Sequence, residues 1–386
     1  LTPEHLSAAR DVARQSIVLL KNEGATLPLA KTGGKVAVIG PLAADKDSPL
    51  GSWRAQGGHD QAVSLLEGIR AANGDDRVLY AEGCRIHGGG ERNSARKFVV
   101  EESDTSGFNA AIAAAREAEV VVLCVGEDAY QSGEARSRAS IGLPGVQPQL
   151  VREIAAVNPN IVLVVMSGRP LAIPEEVAAS RVVVQAWYLG SESGHAIADV
   201  LFGDFAPVGK LVMSYPRTVG QLPLYYNHKR TGRPSAAPDQ VWYSHYEDVP
   251  NDPLFPFGFG LSYTRFEYAN LKLSGEAFAR GDDIGVFVDV TNTGARPGVE
   301  IVQLYLHDPV ARQTRPVREL KAFERVELEP GGTKRVAFTR GDEQLGFFDA
   351  DGTLVVEPGE FQIQVGGSSA EGPKTQFTLS ESADSP

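Results

Sequence analysis

Residues 126–144 read GEDAYQSGEARSRASIGLP and gather three carboxylates, Glu127, Asp128 and Glu134, with two arginines, Arg136 and Arg138. Glu134 follows Ser132-Gly133 and precedes Ala135-Arg136-Ser137-Arg138. A small residue before a carboxyl group gives it backbone freedom, and nearby guanidinium groups can hold it or a sugar hydroxyl in place. Glu134 is therefore the candidate for acid–base work, although composition alone also reads it as a solvated loop acid. Glu127 stands at the end of the apolar run VVVLCV (120–125), beside Gly126, and reads as a backbone anchor. Trp53, in PLGSWRAQGGHD (49–60), is the second candidate. An indole in a Gly/Ser-bounded loop is either a core plug or a flat platform for the face of a sugar ring. Asp60 in that loop reads as the cap of a helix starting near Gln61.

Other chemistries lack their spacing. VIGP (38–41) opens like a nucleotide-binding turn, yet no G-x-G-x-x-G or GxxxxGK[ST] follows a strand. There is no G-x-S-x-G elbow, and the seven histidines show no HExxH spacing, so no metal site and no cofactor is expected. His228 and His245 read as hydrogen-bonded structural residues. The two cysteines, Cys84 and Cys124, have neither disulfide-scaffold number nor metal-ligand spacing. Cys124, inside an apolar run, reads as a core thiol. A formal net charge of −12 argues against a nucleic-acid partner. The longest apolar runs, VVVLCV and IVLVVM (161–166), have strand length, far from the roughly 18 to 20 residues of a membrane helix.

The elements that must position these residues fall into two patterns. From Leu1 to about Pro223, apolar strands alternate with helices. The expected strands are 35–40, 77–80, 120–126, 161–166, 181–187 and 210–215. Helices are expected over 108–118 and 146–157, and Thr2-Pro3-Glu4 starts an N-terminal helix running to about Lys21. Such alternation predicts an α/β sandwich with a largely parallel sheet, whose ligands sit beyond the carboxyl ends of the strands. Residues 224–263 are rich in aromatics as well as proline and glycine, and predict an ordered connector rather than a disordered one. Residues 264–380 alternate as an all-β, fibronectin-III-like sandwich of about seven strands, with a frayed tail beyond.

The segments RDVARQSIVLLKNEGATLPL (10–29), AIADVLFGDFAPVGKLVMSYPRTVGQLPLYY (196–226) and PLFPFGFGLSYTRF (253–266) closely resemble the family-3 glycoside hydrolases, of the bacterial periplasmic β-glucosidase type. ELKAFERVELEPGGTKRVAF (319–338) and VEPGEFQIQVGGSS (356–369) resemble that family's C-terminal fibronectin-III-like domain. The resemblance implies a retaining β-glucosidase in which an N-terminal barrel, matched by nothing here, supplies the aspartate nucleophile. It places the general acid/base at Glu134, with Glu127 as the fallback, a leaving-group sugar platform at Trp53, and a substrate contact or loop brace at Arg138. The partners implied are a β-glucoside or oligosaccharide substrate and the barrel domain, with a homodimer admitted and a periplasmic or secreted setting. The alternatives are a β-xylosidase or exo-glucanase, or a non-catalytic carbohydrate-binding or structural protein built from the same two domains.

Overall fold

A computed structural model describes residues 1–58, 60–90, 96–233 and 241–381. The chain divides into two compact units, one of residues 1–210 with 215–222, the other of 211–214 with 223–386.

In the first unit, helix α1 (Pro3–Ser16) opens as its sequence dictates. The Thr2 hydroxyl accepts from the amide of His5, and Pro3 takes a first-turn position where its missing N–H costs nothing. Six strands follow: β1 (Val18–Asn22), β2 (Val36–Ile39), β3 (Val78–Ala81), β4 (Val120–Gly126), β5 (Ile161–Met166) and β6 (Val182–Gln185). They form one sheet in the order β1-β6-β5-β4-β2-β3, parallel except for β1. Helices α2 (Leu65–Asn73), α3 (Phe108–Glu117), α4 (Gln147–Ala155), α5 (Pro174–Ala179) and α6 (Ser193–Leu201) connect or follow the strands. Val121–Val125 and Ile161–Val165 are wholly buried, as central parallel strands covered on both faces must be. Each such Val, Leu or Ile contributes about 1.5–3 kcal/mol of burial.

Three expectations change. The N-terminal helix stops at Ser16, because Ile17 is already extended, and buried Val18 and Leu19, then Lys21 and Asn22 after an irregularity at Leu20, pair antiparallel with β6 instead. Residues 210–215 form no strand: Leu211 pairs by backbone with Gly258 and Phe259, while Val212 and Met213 are exposed. Asp60 does not cap α2, which starts at Leu65 under a Ser64–Glu67 capping box.

The second unit is the expected β sandwich. Its strands are β7 (Phe266–Leu273), β8 (Ala277–Ala279), β9 (Ile284–Asn292), β10 (Gly298–His307), β11 (Glu319–Leu328), β12 (Thr333–Arg340), β13 (Phe347–Phe348), β14 (Leu354–Val355), β15 (Gly359–Gly366) and β16 (Lys374–Ser380). A five-stranded sheet, β11-β10-β15-β16-β8, and a three-stranded sheet, β12-β9-β7, share one core. Strict alternation along β9 buries Ile284, Val286, Val288 and Val290 on one face. The connector packs on this unit. Gln303, on the other face of β10, donates to the carbonyls of Gly258 (3.0 Å) and Gly367 (2.7 Å). Tyr226 stacks on Phe257 with ring centroids 4.0 Å apart. Connector residues 234–240 and the tail from residue 382 lie outside the described residues.

Candidate active site

The chain runs from β2 outward to the edge strand β3, then returns past β2 to β4 and continues the other way. The direction of travel therefore reverses between β2 and β4, and the crevice beyond their carboxyl ends is where open α/β sheets take ligands. The loop after β2 carries Trp53, and the loop after β4 carries Glu134. The two candidates from the sequence are thus delivered to one place by topology.

Their loops touch. The amide of Ala129 donates to Ser48 Oγ at 3.3 Å. Arg54, next to Trp53, binds the carboxylate of Asp47 and the hydroxyl of Tyr130, with its guanidinium 5.2 Å from the Tyr130 ring centre. Both charged side chains of that pair are nearly buried, 9% and 5% exposed, so the anchor is shielded from solvent screening. Gly133, at φ +105°, comes so close that an added Cβ would lie 3.1 Å from Trp53 Nε1 and 2.3 Å from Ser52 Oγ. Trp53 itself is 74% exposed, which excludes the core-plug reading within this chain. Glu134 is exposed as well, at the turn Gly133–Arg136.

Glu127 occupies the opposite environment. Gly126, at φ +145°, ends β4 where any Cβ would strike the carbonyl of Met166. The next residue, Glu127, is completely buried. Its Oε1 accepts from Arg138 Nη1 at 2.5 Å and its Oε2 from Arg169 Nε at 3.1 Å. Arg138 also donates to the carbonyl of Gly142 at 3.1 Å, so its guanidinium faces back into the loop rather than outward. Tyr188 donates to the carbonyls of Glu127 and Asp128, both at 3.1 Å. Burial, then the charges of Glu127 and Asp128, push the Tyr188 phenol well above its ordinary value and keep it a neutral donor. Asp128 caps the short turn Ala129–Gln131 by accepting from the amide of Tyr130.

Sequence reasoning missed Arg54, Arg169 and Tyr188. Arg54 adjoins Trp53, a local signal that was available. Arg169 and Tyr188 come from behind β5 and β6, and nothing near them in sequence marks their partners.

The remaining candidates are structural. His228 and His245 bond through Nδ1 to the carbonyls of Lys229 and Tyr243. Cys124 and Cys84 are buried and unpaired with each other. Burial raises both thiols, Cys84 to about 12. Among the described residues, no group of three or more His, Cys, Asp or Glu is arranged to hold a metal ion. No helix among them is long and apolar enough to cross a membrane.

Residues 17–263 match the glycosyl hydrolase family 3 C-terminal domain, and residues 300–369 match a fibronectin type III-like domain. The chain is 42% identical over 97% of its length to a periplasmic beta-glucosidase of Salmonella typhimurium, covering 50% of that protein. It is 38% identical over 95% of its length to a beta-xylosidase of Formosa agariphila, covering 49% of it. The crystal structure of a beta-glucosidase from Listeria innocua in complex with isofagomine superposes with a TM-score of 0.90 at 36% identity, covering 99% of this chain and 51% of that one. The chain thus spans about half the length of these relatives. On this agreement of sequence, architecture and domain order, the chain belongs to glycosyl hydrolase family 3.

Proposed function

We propose that this chain is the acid/base-bearing part of a retaining β-glucosidase that removes terminal non-reducing β-D-glucosyl residues. An N-terminal barrel domain would supply the aspartate nucleophile, and the setting would be periplasmic or secreted, as the name of the Salmonella relative suggests. The observation that carries the reading is the contrast between two acids on one loop. Glu127 is buried and saturated by two arginines, while Glu134 is exposed, directly after the glycine that meets Trp53, on the loop at the ligand-facing end of the sheet.

In a retaining reaction the two carboxyl groups stand about 5–5.5 Å apart across the scissile bond. The aspartate attacks the anomeric carbon as Glu134 passes its proton to the departing glycosidic oxygen. A glycosyl-enzyme ester forms and the aglycone alcohol leaves. Glu134, now a carboxylate, takes a proton from water, whose oxygen attacks the same carbon and frees the aspartate. Trp53 would face the leaving-group sugar. Arg138, turned towards Glu127 and Gly142, would act by bracing the loop.

The test is Glu134→Ala in the full-length protein. Turnover of glucosides with poor leaving groups should fall far more than turnover of activated aryl glucosides, which depart without a proton. Azide should partly restore the rate and yield a β-glucosyl azide. Equal losses for both substrate types, with no rescue, would remove Glu134 from this role. The β-xylosidase relative supports a second specificity. Parallel assays on aryl β-xyloside and aryl β-glucoside decide between them.

A further inference from the structure

One guanidinium closes the base of the turn that carries Glu134. Arg169 lies three residues beyond β5. Its Nη2 donates to the carbonyl of Gln131 at 2.6 Å and to that of Arg136 at 2.8 Å. These carbonyls flank Ser132-Gly133-Glu134-Ala135, so a single nitrogen ties the two ends of the turn together. The Nε of the same side chain is aligned by Glu127, which Arg138 holds from the other side. The arrangement runs from a wholly buried carboxylate, through two arginines about one-fifth exposed, to three loop carbonyls.

The turn needs such a tie. Gly133 stands at φ +105° and Ala135 at φ +58°, and a left-handed alanine persists only where its surroundings over-determine it. Within the turn, the Arg136 N–H donates to the Gly133 carbonyl at 3.3 Å, a long bond that closes it weakly from inside. Arginine suits the task because its planar fork presents several donors in fixed directions, whereas a lysine ammonium is a single point.

We propose that Arg169 is a positioning residue for the acid/base: it does not touch the substrate, but it sets where the Glu134 carboxyl stands. This rests on the reading of Glu134 given above. The reach of Arg169 ends at the loop backbone, so its loss should impair proton delivery and leave sugar binding intact.

The experiment uses the full-length protein with Arg169→Ala and Arg169→Lys, assayed on cellobiose and on 2,4-dinitrophenyl β-glucoside. A misplacement of order 1 Å predicts a loss in kcat of about 100-fold on cellobiose, with less than about tenfold on the dinitrophenyl substrate. KM should change little, guanidinium ion should partly rescue Arg169→Ala, and the lysine variant should show the same selectivity at an unchanged melting temperature. Amide hydrogen exchange over residues 131–142 should quicken in both variants while the strands keep their protection. Equal losses on both substrates, or none, would overturn the proposal. Glu134→Ala is run alongside. If it shows leaving-group selectivity and the Arg169 variants do not, the tie is wrong and the acid assignment stands. If Glu134→Ala lacks selectivity, the acid assignment fails, and the tie is decided by exchange alone: unchanged protection of 131–142 then overturns it.

Discussion

Trp53 Nε1 stands 3.1 Å from the point where a Cβ on Gly133 would project. The residue next to Glu134 is thereby fitted against the loop after β2, and the fit depends on glycine for two reasons. Space is lacking, since Ser52 Oγ would be only 2.3 Å away, and the backbone is left-handed at φ +105°. Gly133→Ala should therefore part the two loops and cost about 1–3 kcal/mol of stability in the first unit. Calorimetric melting measures the cost. Activity of the full-length protein should fall more than stability explains; a variant with undiminished kcat/KM would show that the spacing of the two loops is immaterial.

Trp53 gives the complementary case, a large side chain that this chain leaves 74% exposed. Trp53→Ala removes few contacts within the chain, so its stability should stay within about 0.5 kcal/mol of the parent. If the indole carries the leaving-group sugar, kcat/KM on cellobiose should drop at least about tenfold, the equivalent of about 1.4 kcal/mol of lost binding. Substrates with a small aryl aglycone should respond less. A Trp53→Ala chain that melts much lower but keeps its kinetics would assign the indole to structure.

Glu127→Ala should be the most destabilising change in this region. Its carboxylate is wholly buried between Arg138 and Arg169, and its removal leaves two guanidinium groups facing each other without a counter-charge. Breaking a buried pair costs about 3–5 kcal/mol, and the arginines' partial exposure places the expectation at the low end, about 3 kcal/mol. For a unit of this size that lowers the melting temperature by roughly 6–12 °C. A shift under a couple of degrees in calorimetry would mean that solvent replaces the carboxylate at little cost.

Much of this was legible in the sequence because it depends on local pattern. The uniformly apolar runs of β4 and β5 announced central parallel strands, the alternation along β9 announced the β sandwich, and Gly133 before Glu134 announced backbone freedom in the loop. Local pattern also misled. The apolar spacing of α1 runs on through Ile17 and Leu20, so the helix was extended over β1, whose strand state is set by a partner more than 160 residues away in β6. The Glu127–Arg169 pair was hidden for the same reason, since its members lie 42 residues apart and meet only because β4 and β5 are neighbours. Whether Trp53 was buried or exposed could not be read from the loop's composition, because the answer depends on how closely Gly133 and Ser52 approach it.

The second unit offers a test by pH. Asp289 on β9 stands opposite Arg335 on β12, which donates from Nε and Nη2 at 2.7 and 3.0 Å, while Asn270 adds a third donor at 2.9 Å. The hydrogen bonds of Arg335, then that of Asn270, lower the carboxyl from 3.8 to about 2. A carboxylate whose folded value is depressed binds its proton more readily in the unfolded chain. Its stabilising share is thus complete above about pH 4 and is lost as pH falls towards about 2. Asp289→Asn removes this share at neutral pH and removes its acid sensitivity with it. The melting temperature of the variant should begin lower, then fall less steeply than the parent's over that range, so that the two curves converge in acid. Parallel curves across the range would mean that Asp289 has the same proton affinity folded and unfolded, and that the cross-strand pair does not hold it in solution.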